Sequence, residues 1–346
     1  MVRCDDAQYP EESPVKRHAA RIGRRLRIRV PVLAMMVATA LTANAAEPYP
    51  SRPIRLVNPY APAGAVDVVC RAIAHSLSES LGQRIIVDNR AGAGGTIGTE
   101  LVVRAQPDGY TLLCNTSAIA INAGLNRKLN YDALKDLAAV ALVSQSPMML
   151  VVHPSVPVRS VRELLDLART KPGELRFVSS GAGSTTHLAL ELFKFLGKVD
   201  LVHVPYKGGS QSVVDLLAGQ LQGSFNTPPT LISHVKSGKL RALAMGSAKR
   251  SEFAPELPTI AESGIPGYEA SVWYAVFAPR AVPPRIVGLW NTGINRILKA
   301  PETRDLLFAN GMSVIGGSAS EANAYFASET ERWGNVIRMV KLTDEQ

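Results

Sequence analysis

Short apolar runs of strand length alternate with amphipathic stretches along most of the chain, the pattern of an α/β protein with largely parallel sheets. Ile54-Arg55-Leu56-Val57 reads as a first strand, followed by a Pro/Gly loop over 59–64. Val66, Val69, Ile73, Leu77 and Leu81 then recur at spacings of three and four. That spacing puts them on one helix face, and Gly82 ends the helix. Ile85-Ile86-Val87 predicts a second strand. Gly94-Gly95 opens a helix through Arg104, and Pro107-Asp108-Gly109 turns the chain into a strand over 110–114.

A second block begins near residue 150. Ser160 and Glu163 have capping-box spacing for a helix that Pro172-Gly173 halts. A strand over 175–178 runs into a Ser/Gly/Thr loop over 179–186. The loop feeds a helix with Leu188, Leu192 and Leu196 on one face, closed by Gly197. Strands follow over 199–204, 223–226 and 240–245, with helices ending at Gly219 and Gly238. A strand over 271–278 comes next. Helices after Pro283-Pro284, after Pro301 and from Ser318 toward Lys341 complete the chain. The two blocks match: Arg55-Leu56-Val57, loop, helix, Leu81-Gly82 parallels Arg176-Phe177-Val178, loop, helix, Leu196-Gly197. Each places a helix N-terminus beyond the C-terminal edge of a parallel strand, where ligands of open α/β sheets bind. Such an end presents unpaired N–H groups and a positive dipole. Two of them facing across a cleft hold a molecule with one or two carboxylates.

At 346 residues there is room for about two domains. The net charge of +9 does not imply nucleic acid, because eight of the Lys and Arg residues crowd the first 45 positions and the rest form no basic run. That basic segment precedes an apolar stretch over 30–41 and the small-x-small site Ala43-Asn44-Ala45, which reads as a signal peptide cleaved after Ala45. The apolar stretch is too short to span a hydrocarbon core of ~30 Å. The mature protein is therefore expected to be exported, periplasmic and monomeric. Cys4 leaves with the signal; Cys70 and Cys114 remain, on separate elements, where they read more simply as buried small residues than as a disulfide. No CxxC occurs and the six His lack metal-ligand spacing, so neither a metal nor a cofactor is expected.

Two glycine-rich motifs have ordinary readings. In Arg90-Ala91-Gly92-Ala93-Gly94-Gly95-Thr96-Ile97, the third position of a GxGxxG would be Ile97, so a tight strand-to-helix turn is preferred to a dinucleotide site. In Gly181-Ala182-Gly183-Ser184-Thr185 the serine follows glycine directly and no glycine lies two beyond it, unlike a nucleophile elbow. Ser184 caps the helix instead, with Ser180, Ser184 and Thr185 offering hydroxyls to an anion. Asp67 is an N-cap or first-turn acid, and Lys207 beside Tyr206 is either solvated or a partner for a ligand carboxylate. Trp273 and Tyr274 read as core or hinge packing.

The chain resembles the substrate-binding proteins of tripartite tricarboxylate transporters, the Bug receptors. Carrying the resemblance are Tyr49-Pro50-Ser51-Arg52-Pro53-Ile54, Val87-Asp88-Asn89-Arg90-Ala91-Gly92, Pro107-Asp108-Gly109-Tyr110-Thr111-Leu112 and His203-Val204-Pro205-Tyr206-Lys207-Gly208. It continues through Gly238-Lys239-Leu240-Arg241-Ala242-Leu243, Pro258-Thr259-Ile260-Ala261-Glu262-Ser263-Gly264 and Glu331-Arg332-Trp333. The resemblance implies a two-lobed periplasmic binding protein, each lobe a mostly parallel sheet flanked by helices, joined by two crossover segments near Met149 and Ala270. The segments become a signal peptide over 1–45, a first lobe over 46–149 and 270–346, and a second lobe over 150–269.

It also implies a site between the lobes for a small organic carboxylate. One side would be Tyr60, Ala61, Gly64, Ala65 and Val66 with Thr116 and Ser117; the other Ser180, Gly181, Ser184, Thr185, Tyr206 and Asn226. The sequence departs from the family where Ala63-Gly64-Ala65-Val66-Asp67 replaces a Gly-Gly loop with Thr or Ser at the fourth position, and where Asn226 replaces a common Asp. Val66 lacks a hydroxyl, and Asn226 can donate where Asp only accepts. A receptor of the family that recognises an amino group with that Asp would be poorly served by Asn226, which points toward a non-amino organic acid. The implied role is a receptor, not an enzyme, that delivers its ligand to membrane transporter subunits. A receptor presenting ligand to a sensor kinase would have the same sequence; an exported hydrolase is the remaining alternative.

Overall fold

The structure, a computed structural model, describes residues 49–125, 129–206, 209–340 and 342, which belong to one unit beginning at Tyr49. The signal-peptide reading of 1–45, Cys4 and Lys207 fall outside the described residues. Ile54, Leu56 and Val57 are buried in β1 (Ile54–Asn58), and the predicted apolar stripe of helix α1 (Ala65–Leu81) covers the strand. Gly82 takes a left-handed φ of 65° that ends α1, which glycine adopts without a Cβ penalty. The first block continues as β2 (Ile85–Asn89), a 3-10 turn at Ala93–Gly95, α2 (Thr96–Val103) and β3 (Thr111–Thr116). Short helices α3 (Ala118–Gly124) and α4 (Ala133–Asp136) lead into the long β4 (Leu137–Pro147).

Beyond Met148 the chain enters a second sheet. Its elements are β5 (Met149–Val152), α5 (Val161–Thr170), β6 (Arg176–Ser179), α6 (Thr185–Gly197), β7 (Val202–Pro205) and α7 (Gly209–Leu217), then β8 (Gly223–Asn226), α8 (Pro228–Lys236) and β9 (Arg241–Met245). The return strand β10 (Ser271–Pro279) rejoins the first sheet. Helices α9 (Pro284–Lys299) and α10 (Pro301–Ala309), strand β11 (Ser313–Val314) and α11 (Ala319–Val340) follow.

The strand order is β11-β4-β10-β3-β1-β2 in the first sheet and β7-β6-β8-β5-β9 in the second. Strands β1 to β4 share one direction, as do β6 to β9. Strand β5, which carries the chain into the second sheet, and β10, which brings it back, run antiparallel to both neighbours. Helical crossovers separate the parallel neighbours, as parallel pairing requires.

Strand periodicity decides what β10 does. Trp273, Ala275 and Phe277 point into a core shared with Ile119, Phe326 and Trp333. Val272, Tyr274 and Val276 point to the opposite face. Glu329 of α11, 6% exposed, accepts from both indoles, Trp273 Nε1 at 2.9 Å and Trp333 Nε1 at 3.1 Å, and pairs with Arg332 at 3.0 Å. Cys70 and Cys114 are both buried as free thiols on the other face of this sheet.

Two local expectations need correcting. Helix α6 ends at Gly197, but Lys198 takes the left-handed cap position at φ 51°. Gly197 is small because a Cβ there would lie 2.8 Å from the Leu165 side chain of α5. The strand expected over 199–204 starts only at Val202, since Val199 N–H still bonds back to Lys194 O at 3.2 Å.

Candidate functional site

Between the two sheets lies a cavity of about 110 Å³, of the order of the ~150 Å³ engineered cavity that admits benzene. Its first wall is the turn between β1 and α1. Ala63 sits at φ 61°, a left-handed conformation that glycine adopts more easily, and the turn is held from below by Asp67. One Asp67 oxygen accepts from Ala63 N–H at 3.1 Å and from Arg71 at 2.7 Å, and the other accepts from Asn89 at 3.3 Å. Burial by itself would raise the Asp67 pKa, but the bonds from Arg71, Ala63 and Asn89 hold it below the usual carboxylate range. Asp67 is thus a first-turn acid; the N-cap position belongs to Gly64, which has no capping side chain. The first-turn N–H groups at Ala65 and Val66 cannot be satisfied by the helix, and both residues line the cavity.

The opposite wall is the turn into α6. Ser184 caps the helix by accepting from His187 N–H at 3.2 Å. Ser180 and Ser184 each bond the Thr186 hydroxyl at 2.9 Å, so these hydroxyls form a chain that fixes the loop. Thr185 reaches across to Ser117 at 3.2 Å, tying the two walls at one edge. Tyr60 is anchored by Asn115 at 3.2 Å, and burial pushes its phenol up to about 12, leaving a neutral hydroxyl over the first wall.

The cavity lining includes ten of the thirteen residues expected from sequence: Tyr60, Ala61, Gly64, Ala65, Val66, Thr116, Ser180, Ser184, Thr185 and Asn226. Ser117 lies behind the wall in its bond to Thr185. Gly181 backs onto the Tyr206 carbonyl, which a Cβ would approach to 3.0 Å. The Tyr206 hydroxyl is turned to Asp215 of α7 rather than to the cavity. Sequence reasoning missed Thr186, Thr227, Thr230, Val272 and Tyr274, together with Ala118 and Met148. The Pro228-Pro229 pair after Thr227 is a helix-start signal of the kind used elsewhere in the chain and could have located the α8 turn. No sequence pattern marks Tyr274, whose alternation on β10 is that of any core strand.

Among the described residues, no charged side chain appears in this lining. Of the described residues, those that can attract an anion here are at the N-termini of α1 and α6 and among the hydroxyls. Helix α8 also begins here, but prolines at its first two positions remove those N–H groups, so it contributes the Thr227 and Thr230 side chains. Among the described residues no group of three or more His, Cys, Asp or Glu could hold a metal, and no helix is long and apolar enough to cross a membrane.

Under the second wall, His187 and His203 stack at 3.6 Å. The His187 Nδ1 accepts from Gly183 N–H at 3.0 Å, so the ring supports the loop rather than activating Ser184. His203 Nε2 lies 2.6 Å from the Ser179 hydroxyl, and its pKa is lowered to about 4, first by burial and then by Lys194. The unfolded ring titrates near 6.5, so the unfolded chain takes up the proton first. The contribution of the neutral ring is complete above about pH 6.5, is lost as pH falls toward 4, and changes no further below that. Urea midpoints across this window should therefore fall with pH for the native protein and fall less for His203→Asn. An equal slope in both would refute the assignment.

A two-lobed α/β fold with a cleft walled by helix N-termini defines a solute-binding protein. The family model described as "Tripartite tricarboxylate transporter family receptor" matches residues 69–342. The chain is 38% identical over 311 residues to Protein BugT of Bordetella pertussis, covering 89% of this chain and 95% of that one. Among solved structures it resembles Rpa4515 of R. palustris with adipate, at TM-score 0.83 and 36% identity, over 85% of this chain and 99% of that one. It also resembles MatC of Rhodopseudomonas palustris with bound malate, at TM-score 0.79 and 29% identity, over 84% and 100%. This chain belongs to the tripartite tricarboxylate transporter receptor family.

Proposed function

We propose that the protein is a periplasmic receptor that captures a small organic carboxylate between its lobes and delivers it to membrane transporter subunits of the tripartite tricarboxylate type. The carrying observation is the meeting of the α1 and α6 N-termini at a cavity whose lining, among the described residues, has no charged side chain. One carboxylate of the ligand would accept from the N–H groups at Ala65, Val66, Thr185 and Thr186. The relatives with adipate and malate support this reading, both being small diacids. Capture without catalysis is supported by the two Ser/His contacts. One imidazole holds the loop, and the other is too weak a base near neutral pH, beside a fully buried Ser179. Division into lobes at 149 and 270 is supported by the change of sheet at those points. Export is supported by the basic, apolar and small-residue order of the first 45 positions.

The test is a thermal-shift panel of mono-, di- and tricarboxylates, acidic amino acids and aromatic acids on protein stripped of ligand. Ligand at 100 times its Kd adds about 2.7 kcal/mol to the native state, a rise of a few degrees to several degrees at this size. A shift from one carboxylate class is the expected result. Well-folded protein that none of them shifts would sink the receptor reading.

A further inference from the structure

The chain has three cysteines, at 4, 70 and 114, and Cys4 lies in the segment expected to leave with the signal. Cys70 and Cys114 are then the one pair that the mature chain can form within itself. The fold brings them together from separate elements. On α1, Cys70 shares the buried face with Val66, Val69 and Ile73. On β3, Leu112 and Cys114 point into the same core as that face, and Leu113 points to the other. Both cysteines are 0% exposed, and their thiols interact directly. Burial first, and then the neighbouring sulfur, raise the Cys70 pKa well above its usual range.

The pair lies beneath the first wall of the cleft. Cys70 is one helical turn beyond Val66, and Cys114 is two residues before Thr116 on the same strand. Val66 and Thr116 both line the cavity. The segment between the cysteines, 71–113, carries the rest of α1, then β2 and α2. A bond at its ends closes a long loop, and such a closure restricts the unfolded chain more than a short one does. Thiols that already interact need side-chain rotation and a small approach, not a change of fold, to reach the bond length of about 2.0 Å.

We propose that Cys70 and Cys114 are a disulfide site, closed as the exported chain folds, and that the bond staples α1 to β3 beneath the ligand-binding wall. This inference rests on the export reading above, because disulfides form in oxidising compartments. The oxidant is a protein of the dithiol–disulfide exchange class. In the unfolded chain one cysteine thiolate attacks the carrier's disulfide, which gives a mixed disulfide and releases one carrier sulfur. The second cysteine thiolate then displaces the other carrier sulfur. Two thiols thus become one disulfide, and two electrons and two protons leave on the carrier, now a dithiol. Exchange has to precede or accompany folding. Once folded, both sulfurs are out of reach of solvent and Cys70 is held as a neutral thiol, a poor nucleophile.

Thiol trapping tests the site. The full chain is expressed, the periplasmic fraction is quenched with acid, and the protein is unfolded in guanidinium with N-ethylmaleimide, with and without prior reduction. Peptide masses should show label on neither Cys70 nor Cys114 without reduction and on both after it. Label on either without reduction would overturn the site. If the chain is recovered instead from the cytoplasm with 1–45 attached, the export reading fails by itself. Refolding of reduced, denatured protein with oxidised glutathione then decides the pair: label on both cysteines afterwards overturns it, and a linked 70–114 peptide retains it. A second measurement reads the staple. Reductant present during unfolding should lower the urea midpoint of native protein and leave that of Cys70→Ala, which cannot form the bond, unmoved. No shift in native protein, or an equal one in the variant, would overturn the staple.

Discussion

Glu329→Ala is expected to destabilise the protein by about 3–5 kcal/mol, the range for removing one partner from a buried charged pair. The carboxylate is 6% exposed and serves three donors at once, Trp273, Trp333 and Arg332. Its loss strands two indole N–H groups inside the core and leaves a void between β10 and α11. Glu329→Gln keeps one acceptor oxygen and most of the volume, so it should lose less than half as much. Urea denaturation of the three proteins measures this. An alanine variant within 1 kcal/mol of native would mean that water or rearrangement satisfies the indoles. Because Trp273 lies between Val272 and Tyr274 on the same strand, the alanine variant should also bind ligand more weakly.

Where the chain follows one simple period, the sequence already contained the fold. The stripe Val66, Val69, Ile73, Leu77 is the buried face of α1. The capping serines at 160 and 184 accept from Glu163 and His187 N–H as their spacing predicts. Strand β4 was not legible. Leu137-Ala138-Ala139-Val140-Ala141-Leu142 shows no alternation because the strand is buried almost throughout, and a short apolar run of that kind does not separate strand from helix. Strand β5 is a similar run of four buried residues directly after the crossing.

The site divides in the same way. Its helix N-termini were visible because glycine, serine and proline mark them locally. The contribution of β10 was not, because it depends on where the chain returns after an excursion of more than a hundred residues. Val272 and Tyr274 meet the cavity only because β10 lies between β3 and β4, with Tyr274 opposite Thr116 in one register and Ser144 in the other. Ser117, Gly181 and Tyr206 show the reverse limit. Residues adjacent in sequence to a cavity wall can point behind it, and backbone position alone does not reveal which.

The crossing between the sheets should be the position least tolerant of a side chain. Gly246 N–H donates to Met148 O at 2.6 Å, Met148 N–H to Ala270 O at 3.0 Å, and Ala270 N–H to Gly246 O at 2.7 Å. The outgoing segment, the returning segment and the end of β9 are thus closed into a ring of three backbone bonds. A Cβ on Gly246 would lie 2.7 Å from Ala270 O and 3.2 Å from Met148 O. Both atoms are backbone, so no side-chain rotation relieves the clash and the ring itself must open. Gly246→Val should therefore cost about 3 kcal/mol, at the upper end for overpacking. It should also weaken the proposed carboxylate binding at least tenfold, because Met148 and Val272 on either side of the crossing line the cavity and lobe closure about such segments requires a fixed hinge. Gly288→Ala is the control. It lies inside α9 with open space around its Cβ and should be neutral or mildly stabilising. Urea midpoints together with titration of a ligand that binds native protein separate the two effects. If Gly246→Val lost stability but bound as tightly as native, the ring would be a structural clasp with no part in closure; loss of affinity beyond what the stability change explains would assign it to the hinge.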